Sequence, residues 1–446
     1  MTSVLVANRG EIAVRVIRAC RALGLRTVAV YSEADRGALH TRLADRAVCI
    51  GPAPAAQSYL DMRALLATAR GTGADAIHPG YGFLAENADF AAACAEAGLI
   101  FVGPPAEAIR AMGDKVQARA RAAALAVPVV PGSRAALADP AEVETAARSL
   151  GYPLLLKAAA GGGGRGMRVV RSAEELSEAF VAAHAEAHAA FGDGRLYAER
   201  FLERVRHVEV QVLADRFGTA VQLGERDCSI QRRHQKMLEE APSPAVTPAL
   251  RTAMGEAALA LVRDIKYESA GTVEFVLEPS TGRFHFIEMN TRIQVEHPVT
   301  EMVTGVDLVA AQLRIAAGER LALAQADVRI DGHALECRIN AEAPHAGFRP
   351  SPGRIERWQA PGGPGVRVDT HVEPGAVVSP FYDSLLAKVI AHGRDRAEAV
   401  ARMRHALDHL EVEGVETTIA FHRRVLGHPD FARGHVHTRW VEDELR

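Results

Sequence analysis

Short β-branched runs alternate with amphipathic stretches through the first hundred positions of the chain. Val4–Ala7 precedes a helical pattern carried by Ile12, Val14, Val16 and Ile17 that ends near Gly24, and Thr27–Tyr31 reads as the next strand. The alternation continues with a strand at Ala47–Ile50, a helix around Tyr59–Arg70, a strand at Ala76–His78, a helix around Asn87–Ala97 and a strand at Ile100–Val102. Strand and helix in strict turn imply a parallel sheet covered by helices, so residues 1–112 are expected to form a doubly wound α/β unit.

The pattern then changes. An Ala/Arg-rich helical stretch at Asp114–Leu125 meets Val127-Pro-Val-Val-Pro-Gly132, where two prolines and a glycine forbid continuation, so a hinge is expected there. From Pro140 to Leu202 the order is helix, strand (Pro153–Lys157), glycine-rich turn, strand (Met167–Arg171), helix (Ala173–Ala190) and strand (Arg195–Glu199), which makes 113–203 an α+β unit. Beyond Arg204 period-two alternation dominates, at His207–Ala214, Thr219–Gly224, Gly271–Glu278, Arg283–Glu296 and His333–Asn340. Residues 204–446 are therefore expected to be a strand-rich third part.

Composition narrows the classes of function. A chain of 446 residues that is 48% hydrophobic has the apolar surface for several cores. Its 52 basic and 55 acidic residues leave a net charge of -3 without long like-charged blocks, which argues against broad capture of nucleic acid or anionic lipid. The five cysteines are scattered and include no C-x-x-C pair, so neither a disulfide framework nor a zinc knuckle is expected, and a reducing cytoplasm is the expected compartment. No export signal or membrane span is read from the sequence.

The candidate chemistry sits in four places. Lys157-Ala-Ala-Ala-Gly-Gly-Gly-Gly-Arg-Gly166 offers bare backbone N–H groups and one ammonium to phosphate oxygens. It leads into a strand pattern, so it is neither a Walker loop nor a dinucleotide fingerprint; it reads as a flap, or as a plain mobile turn.

In the second place, Gly271–Asn290, a three-residue hairpin loop at Ser280-Thr281-Gly282 would set Glu278 against Phe284, Val276 against Phe286 and Glu274 against Glu288. Opposed carboxylates repel unless one is protonated or a cation lies between them, and Asn290 offers a third oxygen on the same face. A solvated acidic face is the alternative. Continued alternation would place Glu288, Asn290, Arg292, Gln294 and Glu296 in one polar row, where an arginine can hold a small oxyanion and a carboxylate can act as base.

Gln231-Arg-Arg-His-Gln-Lys236 is a dense basic patch that alone reads as a solvated loop. The strand through Glu336, Arg338 and Asn340 puts Arg338 where it either stabilises an anion or pairs with Glu336 at a surface.

Together these pieces resemble the ATP-grasp enzymes, and within them the biotin carboxylases. The resemblance runs through Ala7-Asn-Arg-Gly-Glu11, His78-Pro-Gly-Tyr-Gly-Phe83, Met112-Gly-Asp-Lys115, the glycine run, Glu225-Arg-Asp-Cys-Ser229, the Gln231–Lys236 patch, Phe286–Pro298 and Glu336–Ala341, and so spans essentially the whole chain.

It implies that Lys115, Lys157, the Gly163 and Gly164 backbone, Glu199, Arg200, Phe201, Leu202, His207, Gln231 and His234 surround ATP, with a mobile glycine-rich lid closing over the phosphates. Glu274, Glu288 and Asn290 would hold two magnesium ions, with manganese as an alternative. Lys236, Arg292, Gln294, the Val295 backbone and Glu296 would bind bicarbonate, Glu296 acting as its base. Bicarbonate would attack the γ-phosphate to give carboxyphosphate, which yields carbon dioxide and phosphate. That phosphate would deprotonate biotin N1 while Arg338 stabilises the enolate.

The chain has no Met-Lys-Met biotinylation signature, so biotin is expected on a separate biotin carboxyl carrier protein, with carboxyltransferase subunits as further partners, unless the chain is the front of a longer polypeptide. The resemblance also raises a homodimer formed through an arginine on the first helix and an acid one turn later. Arg18 fits the first position, but Ala22 stands at the second. Two other readings stay open, an ATP-grasp ligase for a different carboxylate and a non-catalytic nucleotide-binding protein.

Overall fold

The computed structural model describes residues 1–133, 135–159 and 167–445, apart from the side chain of Phe191. The glycine run, with Gly163 and Gly164, lies outside the described residues.

The opening alternation folds into a five-stranded parallel sheet built from β1 (Ser3–Val6), β2 (Arg26–Ser32), β3 (Arg46–Gly51), β4 (Ala76–His78) and β5 (Ile100–Phe101), in the order β3-β2-β1-β4-β5. The order reverses at β1 because successive crossovers run to opposite sides of it, which is the doubly wound pattern. Helix Gly10–Ala22 buries Ile12, Val16 and Ile17 with Val4 and Val6, as its spacing requires.

Next, β6 (Leu154–Ala158), β7 (Arg168–Val170) and β8 (Leu196–Arg200) form a three-stranded antiparallel sheet in the order β7-β6-β8. Leu154, Leu156 and Val170 pack there against Leu176, Phe180 and Ala183 of the helix Ala173–Phe191.

The remainder is organised by one eight-stranded antiparallel sheet. Its strands are β9 (Arg206–Ala214), β10 (Ala220–Arg232), β11 (Gln235–Ala241), β12 (Ser269–Glu278), β13 (Arg283–Asn290) and β14 (His333–Asn340), followed by Leu385–Gly393 and Val366–Thr370. In space they run β13-β12-β9-β10-β11-β14, then Leu385–Gly393 and Val366–Thr370.

Two strands differ from the sequence reading. The stretch expected to end at Gly224 continues to Arg232, and the basic patch is not a loop but a hairpin whose two-residue turn, Arg233-His234, has φ of 49° and 65°. Both turn residues sit in the left-handed region, which suits the strand twist and costs non-glycine residues strain. The stretch expected to run to Glu296 ends at Asn290, and a helix begins at His297 with Pro298 in its first turn.

Ion pairs tie the sheet to its surroundings. Glu240 on β11 accepts from His333 Nε2 at 2.8 Å and from Arg396 at 2.6 Å. Burial alone would raise this carboxyl, but the His333 hydrogen bond and the Arg396 guanidinium outweigh it and hold it at about 2. An unfolded glutamate titrates near 4.5, so the stabilisation is complete above that pH and fades as the pH falls toward 2. Glu240→Gln is expected to lower stability at pH 7 by about 1.5–3 kcal/mol. In urea titrations the gap to the parent should close as the pH drops below 4.5.

Among the described residues no helix is long and apolar enough to cross a membrane.

Candidate active site

Across the β10-β9-β12-β13 part of the large sheet, four ionisable side chains share one row: Arg226 opposite Glu209, Glu209 opposite Glu274, and Glu274 opposite Glu288. Three adjacent carboxylates on one face repel one another and require cations among them. Arg226 is fully buried and donates to Glu209 at 2.6 Å. Lys236, reaching over from β11, places Nζ 2.6 Å from Glu209, 2.8 Å from Glu274 and 2.7 Å from Glu296. Lys115 lies 2.8 Å from Glu288.

The Glu274–Glu288 juxtaposition is as the hairpin argument predicts, but the register nearer the turn is not. Glu278 opposes Arg283, Val276 opposes His285 and Phe275 opposes Phe286, with a one-residue irregularity between Phe275 and Glu274. The loop is one residue longer than expected, and a bulge at Ile287 restores the register at the carboxylates. Phe286 accordingly packs into the core with Phe275, while Val276 lines the cleft.

The polar row expected to continue from Glu288 to Glu296 does not follow a strand. The backbone turns away after Asn290, and the side chains converge through that turn. Arg292 donates to Gln294 Oε1 at 2.9 Å and to Asn290 Oδ1 at 3.1 Å, and Asn290 Nδ2 donates to Glu274 at 2.8 Å. Glu296 stands at the N-cap of the helix His297–Thr304 with no exposed surface. Arg338 bridges Glu296 at 2.9 Å and Glu239 at 2.6 Å. The surface pair of Arg338 with Glu336 is not formed. Glu336 is buried, and neither of its oxygens has a hydrogen-bond partner among the described residues.

These contacts fix the charges. Burial would raise the Glu296 carboxyl, but the fields of Lys236 and Arg338 prevail and hold it well below the usual carboxylate range. Glu274 is held down in the same way, against its burial, by Lys236 and His207. Glu239 goes the other way: burial outweighs Arg338 and pushes it up to about 7.

The far end of the cleft carries the expected nucleotide residues. Lys157 pairs with Glu199, which also takes contacts from Arg119 at 3.3 Å and the Tyr197 hydroxyl at 3.2 Å. Arg200, Phe201, Leu202, His207, Gln231 and His234 line the same space, and Gln231 Nε2 lies 2.9 Å from His207 Nδ1. Lys115 opens a helix, Lys115–Ala124, where a cation opposes the helix dipole. Asp114 caps that helix by accepting the Gln117 N–H at 2.9 Å. Asp114→Ala is expected to cost about 0.5–2 kcal/mol, read from chemical denaturation.

The whole cleft, about 820 Å3, runs from Lys115 and Lys157 past Glu274 and Glu288 to Arg292, Gln294, Val295 and Arg338. The chain matches the biotin carboxylase N-terminal domain over residues 1–109, the ATP-binding domain of the carbamoyl-phosphate synthase L chain over 114–324, and the biotin carboxylase C-terminal domain over 336–443. It is 55% identical to a biotin carboxylase of a Nostoc species, covering 99% of this chain and 98% of that one. The chain belongs to the biotin carboxylase family.

Two further relatives widen the picture. The biotin carboxylase of Pseudomonas aeruginosa is 55% identical, over 100% of this chain and 99% of its own. The biotin carboxylase domain dimer of Hydrogenobacter thermophilus 2-oxoglutarate carboxylase, solved with MgADP, ADP and bicarbonate, superposes with a TM-score of 0.97 at 50% identity, covering 100% of this chain and 98% of that one.

The donor set suits a hard divalent ion. Glu274 and Glu288 present carboxylate oxygen at the meeting of β12 and β13, with the Asn290 amide beside them, its Nδ2 on Glu274 and its Oδ1 taking Arg292, and two carboxylates facing one another favour a cation between them. His207 Nε2 lies 3.1 Å from Glu274 Oε2 and adds a nitrogen at the edge of that set.

Sequence reasoning did not single out Glu209, Arg226, Glu239 or Glu86. Glu86 follows the Gly-Tyr-Gly-Phe turn, accepts the Thr291 N–H at 3.0 Å and receives Arg292 Nε at 2.8 Å, so it braces both ends of the turn after β13. A signal for Glu209 was present. Val208, Val210 and Val212 alternate with Glu209 and Gln211, and an acid and an amide among valines on a buried strand mark a polar face inside the molecule.

Proposed function

We propose the following roles for the cleft residues of this chain. Lys115, Lys157, the Gly163 and Gly164 backbone, Glu199 through Leu202, His207, Gln231 and His234 take ATP. Glu274, Glu288 and Asn290 hold magnesium, which supplies neutralisation of phosphate charge when bound. Lys236, Arg292, Gln294 and the Val295 backbone take bicarbonate, and Glu296 accepts its proton.

The observation that carries this reading is the placement of Glu296. It is ionised, sealed from solvent, and touched by Lys236 on one oxygen and Arg338 on the other. Those two cations, which Glu296 shares with Glu209, Glu274 and Glu239, make it a weak base. An incoming bicarbonate shares their field, so the carboxylate regains basicity at the moment its proton acceptor role is needed.

Deprotonated bicarbonate attacks the γ-phosphorus of ATP through one oxygen, and the bond from that phosphorus to the β-bridging oxygen breaks, giving ADP and carboxyphosphate. Carboxyphosphate separates into carbon dioxide and phosphate. The phosphate takes the N1 proton of biotin, Arg338 stabilises the ureido oxygen of the enolate, and N1 bonds to carbon dioxide. Positioning and charge neutralisation do most of this work, as in other phosphoryl transfers.

Biotin arrives on a carrier protein and leaves to a carboxyltransferase that chooses the acyl-CoA or other acceptor; a homodimer is part of the proposal. The boundaries 1–112, 113–203 and 204–446 are proposed as the structural division.

Incubation with MgATP, carbon-14 bicarbonate and free biotin is expected to give acid-labile carboxybiotin in step with ADP. ATP cleavage that needs some other carboxylic acid, and not bicarbonate, would place the chain with a different ligase chemistry. Nucleotide binding without turnover would make it a catalytically silent protein.

A further inference from the structure

Lys388, on the strand Leu385–Gly393, has no exposed side-chain surface. Its Nζ donates to the Val295 carbonyl at 2.8 Å and lies 3.1 Å from Glu11 Oε1, and Glu11 in turn accepts from the Tyr81 hydroxyl. On the sheet, Lys388 opposes Arg338 on one side and Asp369 on the other. Burying an ammonium is costly unless it is paired, and methionine would fill the same volume without that cost. A lysine here is explained by what its charge holds.

What it holds is the peptide joining Val295 to Glu296. Residues 291–296 lie between the end of β13 and the helix His297–Thr304, so sheet pairing does not fix them. Pro298 has no N–H to give, and the Val299 N–H goes to the Glu296 carbonyl at 3.3 Å. The Val295 carbonyl receives the lysine. Because the peptide unit is planar, anchoring that carbonyl also sets the Glu296 N–H and the Cα from which the Glu296 carboxylate projects.

The anchor is itself braced. Glu11 stands in the first turn of helix Gly10–Ala22 and Tyr81 in the loop after β4, so the N-terminal sheet unit holds the lysine that the C-terminal strand directs at the peptide.

We propose that Lys388 is a positioning residue for the bicarbonate end of the cleft, with Glu11 as its fixed counter-charge: it sets the Val295–Glu296 peptide in register with the anion. This rests on the assignment of Val295 and Glu296 to bicarbonate made above.

The test uses the full chain and two variants, Lys388→Met and the double change Glu11→Gln with Lys388→Met. The double variant removes one positive and one negative buried charge, so the net charge of the interior is unchanged and Glu11 is not left unpaired, while Glu336 and Asp369 lose the field of the lysine in both variants. Bicarbonate-dependent phosphate release from MgATP is measured for parent and variants, with thermal melting as the check on folding.

The bicarbonate KM is expected to rise about tenfold in both variants while the ATP KM stays within about twofold of the parent. A folded double variant with the parent's bicarbonate KM overturns the proposal, and so does an equal rise in both KM values, which a general loosening of structure would give. A parent enzyme whose ATP cleavage ignores bicarbonate overturns the underlying site assignment instead.

Discussion

Glu296→Gln is expected to lower bicarbonate-dependent ATP cleavage by about 100-fold to 10,000-fold, the span that a positioned general base contributes. Glutamine has nearly the same shape but cannot take a proton from bicarbonate. It also turns an amide N–H toward Lys236 or Arg338, which lie 2.7 Å and 2.9 Å from the two carboxylate oxygens. Lys115, Lys157 and Glu199, proposed above to take the nucleotide, pair with Glu288 and with each other and not with Glu296, so ATP binding should persist. Phosphate release with saturating bicarbonate, set beside nucleotide binding by calorimetry, separates the two effects. Turnover near the parent level would remove Glu296 from the mechanism.

Lys236→Met should be damaging in a second way, because it strips one ammonium from three buried carboxylates. Glu209 keeps Arg226 and Glu296 keeps Arg338, whereas Glu274 is left with His207 and amide donors. Breaking a buried ion pair by removing one partner costs about 3–5 kcal/mol, and bicarbonate-dependent turnover should be lost as well.

The pH dependence has a definite sign. In the parent, Lys236 opposes burial and keeps Glu274 and Glu296 well below the usual carboxylate range, so their contribution is present above the unfolded value of 4.5 and lost as the pH falls below it. Without the ammonium these carboxyls rise, and acid relieves the repulsion by protonating them. Urea melts should therefore show the largest loss of stability at pH 7–8 and a smaller one at pH 5. An equal loss at both pH values would mean that packing, and not charge, is what Lys236 contributes.

How far the fold can be read from the chain alone differs from element to element. The parallel sheet is legible because each strand is a short apolar run bounded by a helix of clear period, as with Val4–Ala7 and the Ile12–Ile17 stripe. The facing of Glu274 and Glu288 is also legible, although two deviations that cancel lie beneath it: the longer turn at Pro279–Gly282 and the bulge at Ile287.

Alternation misleads after Asn290. Arg292, Gln294 and Glu296 keep a period of two in sequence, yet Glu86 captures the Thr291 N–H and the Arg292 side chain and diverts the chain out of the sheet. That partner is about two hundred residues away, and local pattern carries no trace of it. Arg226 and Glu239 escape for the same reason. Each lies within an ordinary-looking strand, and only the pairing of β9, β10, β11 and β14 shows that they neutralise Glu209 and hold Arg338.

Attack by an oxygen of bicarbonate on the γ-phosphorus of ATP is the step on which the chemistry of this cleft turns. It is tested most directly by turnover of MgATP with oxygen-18 bicarbonate and free biotin, followed by mass analysis of the released phosphate. Attack by bicarbonate leaves its oxygen on phosphorus when carboxyphosphate separates, so one labelled oxygen per phosphate is the expected result. Phosphate carrying only unlabelled oxygen, released at the same rate, would show that water, and not bicarbonate, is the nucleophile.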